Sequence, residues 1–122
     1  MSRKIRFRGK RASNGKWVYG AYIPMDETHQ QAYIYDIKTD EFVPIKPGTE
    51  GQYTDRRDKN GKEVYENDIL VSTHGDIMPV VWTGWSWDAS NPDDAEDYIV
   101  ITDSASFEVI GNIDENLELL NA

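Results

Sequence analysis

The sequence contains no cysteine among its 122 residues. This absence excludes disulfide bonds, thiolate zinc sites and cysteine nucleophiles, and it fits a reducing compartment. The two histidines, His29 and His74, lie far apart in the chain and form no zinc-binding pattern. No serine lies in a nucleophile-elbow pattern, and the nine glycines are scattered rather than gathered in a phosphate-binding loop. We therefore expect no cofactor, no metal and no enzymatic activity.

The sequence also lacks a long apolar run. No segment approaches the ~20 apolar residues that a membrane-spanning helix needs, and no apolar segment follows the basic N-terminus. We therefore expect neither a membrane span nor a secretory signal, and a cytoplasmic location. The hydrophobic content of 39% and the aromatic content of 11% indicate a folded domain with a small aromatic core.

Basic residues are absent from the second half of the chain. All 13 lysine and arginine residues lie at or before Lys62, whereas 14 acidic residues follow it. Residues 1–62 therefore carry 13 minus 8, or +5, and residues 63–122 carry -14, which together give the net charge of -9. Such opposed charges predict pairing between the halves, association between copies of the chain, or a charged partner.

The first third of the chain has the period-2 pattern of β-strands. Residues 3–8 alternate cations with Ile5 and Phe7, and residues 17–23 follow an Asn-Gly pair, which predicts a hairpin. Further strands are predicted at residues 31–37 and 42–45, the second of them at a sheet edge because it contains Pro44. Residues 1–48 are thus predicted to form an N-terminal antiparallel β layer.

Residues 49–122 contain several short apolar segments separated by turn residues. Strands are predicted at residues 51–54, 69–73, 77–82, 98–102 and 107–110, a spacing typical of a small barrel or sandwich. An acidic loop is predicted at residues 88–97. Asp114 is predicted to cap a short C-terminal helix. We expect this region and the N-terminal layer to form one compact unit.

The segment between the strands predicted at residues 51–54 and 69–73 contains a partial calcium-binding motif. Asp58, Asn60 and Gly61 match the third, fifth and sixth positions of an EF-hand loop. However, Arg56 and Asn67 occupy the first and twelfth positions, where carboxylates are required. The motif is therefore interpreted as a turn rather than a metal site.

The tryptophans near the acidic loop are the main candidates for a binding site. In a continuous strand, Trp85 and Trp87 would point to the same side, and tryptophan is frequent in binding hot spots. Such a patch beside acidic residues would suit a basic protein partner, although the same tryptophans could instead cover the end of a barrel. The candidate contacts are Trp85, Trp87, Asp93, Asp94, Glu96 and Asp97.

Binding of single-stranded nucleic acid is the alternative function. It would use the basic strand and turn residues Arg6, Arg8, Arg56 and Arg57. The isoelectric point of about 4.6 argues against it, because the acidic half would repel phosphate. We therefore regard nucleic acid as the less favoured partner.

Three segments resemble one known protein family. They are IRFRGKRASNGKWVYGAYI at residues 5–23, GQYTDRRDKNGKEVYENDIL at residues 51–70 and FEVIGNIDENLELL at residues 107–120. In this order they are similar to the YopX family of phage and prophage proteins, whose function is uncharacterised. The resemblance implies a mainly β protein with an SH3-like barrel in its C-terminal part. It also implies a protein encoded by a bacterial virus or prophage, and it implies no activity. Our own interpretation is a non-enzymatic protein of the host cytoplasm that binds a host or phage protein.

Two departures from the family pattern concern the backbone. The family usually has glycine at the positions of Asp55 and Asn67. Asp and Asn are the side chains that best tolerate a positive φ, so we expect both residues to adopt it.

Overall fold

The computed structural model shows a mainly β protein, in which 51% of the described residues lie in strands and 7% in helices. It describes residues 5–28, 30–91, 94–101 and 104–121. The strands of the first part are β1 (Phe7–Lys10), β2 (Trp17–Ile23), β3 (Tyr33–Asp36), β4 (Glu41–Pro44) and β5 (Gly51–Arg57). Those of the second part are β6 (Glu63–Tyr65), β7 (Asp68–Ser72), β8 (Ile77–Trp82), β9 (Trp87–Asn91), β10 (Asp94–Val100) and β11 (Phe107–Asn112). Two short 3-10 helices cover Ser104–Ser106 and Leu117–Asn121.

The chain divides into two compact units, Met1–Tyr53 and Thr54–Ala122. The division falls inside β5, whose first residues pair with β1 in the first unit. The later residues of β5 pair with β6 in the second unit. All strand pairs with a defined register are antiparallel.

The predicted N-terminal hairpin is confirmed as β1 and β2, with Lys10 opposite Trp17. The turn is wider than a two-residue hairpin loop, because Gly15 N donates a hydrogen bond to Arg11 O. Of the Asn-Gly pair, Gly15 alone has a positive φ, of 73°. The glycine, rather than Asn14, therefore provides the left-handed residue that closes the turn.

One face of the first sheet carries the core of the first unit. The register places Ile34 opposite both Tyr22 and Val43, so these side chains share a face. Gly9 lies against Ile45, whose Cδ1 would be 2.8 Å from a Cβ at Gly9. Burial of each large aliphatic side chain contributes about 1.5–3 kcal/mol. The buried cluster consists of Val18, Ala32, Ile34, Val43 and Ile45, with Phe7 and Tyr22 packed against it.

The second unit is built on a five-stranded sheet with the order β10-β9-β8-β7-β11. Pro79 lies in the central strand β8, opposite Ile69 of β7. The β8–β9 register begins only after it, at Val80, because proline has no N–H to donate to the ladder. The buried cluster consists of Val64, Leu70, Met78, Val80, Ala89, Ile101, Phe107 and Val109.

The predicted SH3-like barrel is not confirmed. Within the described residues the second sheet is open, with β10 and β11 at its edges. The predicted C-terminal helix is not confirmed either, because the last element is a five-residue 3-10 helix. Asp114 is not its cap: Asp114 and Glu115 belong to the turn before the helix, where their N–H groups donate hydrogen bonds to Asn112 Oδ1.

The expected positive φ values at two non-glycine residues are confirmed. The φ of Asp55 is 63° and that of Asn67 is 73°. The backbone of Asn67 also connects two elements, because its N–H donates to Val80 O and its carbonyl accepts from Ile113 N. Asp55 lies inside β5 and Asn67 in the turn between β6 and β7, so the positive φ shapes the backbone at both positions.

No helix in the described part of the chain combines the length and the apolar character that crossing a membrane requires.

Candidate functional site

Residues 82–87, here called the tryptophan turn, join β8 to β9 and are held by hydrogen bonds. Thr83 N donates to Ser86 O at 3.0 Å, which closes the turn. The hydroxyl of Thr83 accepts from Ser86 N at 3.1 Å and from Trp85 N at 3.3 Å. Gly84 has a φ of 98°, which a residue with a side chain rarely adopts. The turn is thus fixed by its own residues.

The three tryptophans of this turn have different environments. Trp85 is 91% exposed at the tip, and Trp82 is 51% exposed. Trp82 and Trp87 are paired across the hairpin, with ring centroids 5.1 Å apart and an interplanar angle of 56°. Such tilted aromatic pairs contribute about 0.5–1.5 kcal/mol beyond their burial.

Trp87 is the anchor of the tryptophan turn. It is partly buried and packs against the core of the second unit. Its Nε1 is buried and has no hydrogen-bond partner among the described residues. The expected same-side arrangement of Trp85 and Trp87 assumed a continuous strand, whereas the chain turns between them. The residue that accompanies Trp87 is instead Trp82.

Sequence reasoning did not select Trp82 as a contact residue. A signal was available, because a Thr-Gly-x-Ser segment flanked by two tryptophans fits a short hairpin loop with its glycine at the turn. Reading residues 82–87 as a hairpin would have paired Trp82 with Trp87 directly.

Residues 88–97 are predicted as an acidic loop, but the described part of this segment, residues 88–91 and 94–97, belongs to strands β9 and β10. The β9–β10 register shifts between Asp94 and Tyr98, which marks an irregularity in β10. Asp88 Oδ2 accepts a hydrogen bond from Ser86 Oγ at 3.3 Å, next to the tryptophan turn. Of the predicted acidic contacts, Asp93 lies outside the described residues. The side chains of Asp94, Glu96 and Asp97 do so as well.

The predicted arginine set is divided between the two units. Arg8 is buried at 7% exposure, and its guanidinium carbon lies 4.3 Å from the centroid of Trp17. Arg6 lies 5.1 Å from the centroid of Tyr53. These contacts are favourable because an aromatic face attracts a cation.

In the second unit the arginines lie near the partial calcium motif. Arg57 donates to Gly61 O at 2.9 Å and forms an ion pair with Glu63 at 3.6 Å. Arg56 is exposed, and its backbone N–H donates to Thr54 Oγ1. Arg57 is thus engaged within its own turn.

Asp58, the main carboxylate of the partial calcium motif, is used by the backbone. It is 3% exposed, and its Oδ1 accepts hydrogen bonds from the N–H groups of Asn60 and Lys62, both at 2.9 Å. Its Oδ2 accepts from Val109 N at 2.9 Å. Across the residues that the structure describes, no three metal-ligating side chains are grouped together. The motif is therefore a structural turn that attaches to β11.

Two tyrosines of the first unit have a raised pKa. Burial raises the pKa of Tyr22, and its hydrogen bond to the Glu50 carboxylate raises it further. The hydrogen bond of Tyr35 to Asp40 is the main cause of its raised pKa. Both phenols therefore stay protonated and act as hydrogen-bond donors at neutral pH.

The second unit also contains a groove between β8 and the C-terminal 3-10 helix, with a volume of about 270 Å³. Its lining combines apolar side chains with an aspartate and an asparagine: Gly75, Asp76, Ile77, Met78, Asn91, Leu119 and Leu120. Asp76 is hydrogen-bonded to Ser72 in two ways. Its backbone N–H donates to Ser72 Oγ at 3.1 Å, and its Oδ2 accepts from the same hydroxyl at 3.4 Å.

Comparisons with known proteins agree with this fold. The solved structure of protein EF1440 from Enterococcus faecalis is similar over 98% of this chain and 99% of that chain, with a TM-score of 0.57. The sequence identity is 20%, so this likeness shows a shared fold alone. No curated protein matches the sequence significantly. The sequence model of the YopX protein family matches residues 6–121, nearly the whole chain. The chain therefore belongs to the YopX family.

Proposed function

We propose that this protein acts without catalysis, by binding a protein partner through the tryptophan turn. The observation that carries the proposal is the 91% exposure of Trp85 on a turn that its own hydrogen bonds hold in place. Trp82 supplies a second exposed ring in the same turn, and its contact with Trp87 ties it to the core.

Tryptophan is well suited to this role. A tryptophan side chain offers a large apolar area and one hydrogen-bond donor, and it is enriched in the hot spots of interfaces. The turn around Thr83 limits the conformations that Trp85 must lose on binding, so less ordering entropy opposes association. The exposed ring and the fixed backbone together support a role for Trp85 in binding a partner rather than in the core.

Charge supports a basic partner. The second unit contains 16 acidic and 4 basic residues, a net charge of 4 minus 16, or -12, and all its cations lie at or before Lys62. Four acidic residues lie six to ten positions after the end of the tryptophan turn in the sequence: Asp93, Asp94, Glu96 and Asp97. Complementary charge at the rim of an interface speeds association and selects partners. The family resemblance favours a host or phage protein in the bacterial cytoplasm.

The test is a pull-down from host lysate at low salt, followed by calorimetry with the captured partner. We expect Trp85→Ala to weaken the interaction at least about tenfold, the loss typical of a hot-spot residue. A variant with Asn or Gln at positions 93, 94, 96 and 97 should mainly slow association. Leu117→Ala serves as control, because Leu117 is also 55% exposed but lies in the C-terminal 3-10 helix.

Two results would count against the proposal. One is the absence of any partner whose capture depends on Trp85. The other is an affinity that Trp85→Ala and Leu117→Ala lower equally, since this would point to a general effect on the unit.

A further inference from the structure

The first sheet has an aromatic face on the side opposite its core. Its register forms one row from Ala21 through Tyr35 to Phe42 and a second row from Ile23 through Tyr33. Since Tyr22, Ile34 and Val43 belong to the core, the residues next to them along each strand point to the opposite side. We call this surface, formed by Tyr19, Ala21, Tyr33, Tyr35 and Phe42, the aromatic face.

Two rings of the aromatic face are open to solvent. Phe42 is 62% exposed and Tyr19 is 44% exposed. Ala21, which is exposed, lies on the strand of Tyr19 and opposite Tyr35, so a small residue separates the larger rings. The Tyr35 and Phe42 centroids are 5.0 Å apart, and the hydrogen bond to Asp40 fixes the Tyr35 ring. The result is a broad and ordered aromatic platform.

A group of cations lies at one end of the same sheet. Arg11 N donates to Lys16 O, and Lys46 N donates to Lys10 O, so the backbone brings four basic residues together. The Lys46 ammonium lies at the β1–β2 turn, 3.5 Å from the position of a Cβ at Gly15. Lys10 also approaches the Trp17 ring, at 5.3 Å from its centroid. The sequence contains no acidic residue before Asp26, so the β1–β2 hairpin itself carries only positive charges.

We infer that the aromatic face binds single-stranded nucleic acid, with bases stacked on Tyr19 and Phe42 and phosphates near Arg11, Lys16 and Lys46. Every base presents a π-face that an aromatic side chain can stack on, and nearby cations attract the backbone. Sheet faces with exposed aromatics recognise single-stranded RNA in this way. Charge decides between nucleic acid and a basic protein, because the cations beside the face would repel a basic partner.

This site differs from the arginine set that sequence reasoning suggested. Arg8 is buried against Trp17, and Arg57 is engaged by Glu63, so neither is placed to lead a contact with phosphate. The site is also independent of the proposed protein contact, because the aromatic face lies in the first unit and the tryptophan turn in the second.

The test is fluorescence polarisation of the full chain with fluorescein-labelled single strands, a 20-nucleotide oligouridine and its DNA counterpart, at ~50 mM salt. We expect binding that Phe42→Ala and Tyr19→Ala each weaken about tenfold, within the range for loss of one stacked base. A plot of log affinity against log salt should have a negative slope. Lys16→Gln and Lys46→Gln should each reduce its magnitude by about 0.7, the value for one phosphate on a single strand.

Tyr98→Ala is the matched control, because this tyrosine is 54% exposed but lies on β10 of the second unit. It should leave the affinity for both strands unchanged. The inference is overturned if neither strand binds at ~50 mM salt, or if Phe42→Ala and Tyr98→Ala bind equally well. Circular dichroism of each variant verifies that the fold is intact. A null result here would leave the contact at Trp85 unaffected, so failures of the two proposals are distinguishable.

Discussion

Asp58 connects two parts of the second unit through one buried carboxylate. Three backbone N–H groups, those of Asn60, Lys62 and Val109, use its two oxygens as acceptors. The sequence predicts the hydrogen bonds from Asn60 and Lys62, because an Asp two residues before an Asn-Gly pair commonly accepts hydrogen bonds from the backbone of its own turn. It does not predict the contact with Val109, because that residue is 51 positions away and no local pattern announces it.

We predict that Asp58→Ala lowers the free energy of unfolding by about 3 kcal/mol, because it leaves buried N–H groups without acceptors. Asp58→Asn should cost less, since it keeps one acceptor oxygen. Urea denaturation followed by circular dichroism measures both changes. Asp76→Ala is the control at an exposed aspartate. A loss below about 0.5 kcal/mol for Asp58→Ala, as for an ordinary surface substitution, would contradict this role.

At the level of strands, the β2–β3 pair depends on a residue without a side chain. A Cβ at Gly20 would overlap the carbonyl oxygen of Tyr35 on the neighbouring strand. A side chain there would push the two backbones apart, and the core around Ile34 lies on the same pair of strands. The alternation of apolar residues predicted both strands, but it contained no sign of this close approach.

We predict that Gly20→Ala destabilises the first unit by about 3 kcal/mol or more, at the upper end for overpacking, because a backbone carbonyl cannot move aside locally. Gly9→Ala should cost less, since its nearest neighbour is the end of the Ile45 side chain. Thermal unfolding followed by near-ultraviolet circular dichroism compares the two. Equal losses of stability in both variants would contradict this prediction, because they would show that the backbone at Tyr35 can move away from the new Cβ.

The β9–β10 hairpin shows where sequence patterns fail for a whole element. Its residues include several acids and Pro92, all of which are disfavoured in strands and favour a loop. Strand β9 forms nevertheless, because Ala89 pairs with Val80 and is buried in the core. The burial of one small residue between polar neighbours outweighs the local preference, and this depends on a strand formed elsewhere in the chain.

At the level of the molecule, the two units differ strongly in charge. The first contains 9 basic and 6 acidic residues, a net charge of 9 minus 6, or +3, whereas the second has -12. Repulsion among like charges destabilises a compact state. The charge difference was visible in the sequence, as was the mainly β class. The expected SH3-like barrel is not confirmed, because closure of a sheet depends on the pairing of its edge strands, which no local pattern encodes.

We predict that raising NaCl from ~0.05 M to ~0.5 M stabilises the second unit, because salt screens repulsion between exposed charges. A gain of about 1 kcal/mol corresponds to a rise of roughly 4–8 °C in the unfolding midpoint for a domain of this size. Three of the four tryptophans, Trp82, Trp85 and Trp87, lie in this unit, so tryptophan fluorescence during heating reports mainly on it.

The control for this experiment replaces Asp94, Glu96 and Asp97 with their amides, which should reduce the salt effect. A midpoint that falls with NaCl would mean that favourable ion pairs, such as Lys59 with Glu108 at 3.6 Å, outweigh the repulsion.

The contact between Asp58 and Val109 also affects how the protein behaves at high concentration. Strand β11 is an edge of the second sheet, and an open edge is a template on which another chain can add a strand. Here Val109 N donates to Asp58, and Phe107 O accepts from Lys59 N. Two of the backbone groups that an incoming strand would need are thus already occupied, so this edge resists the strand addition that leads to fibres.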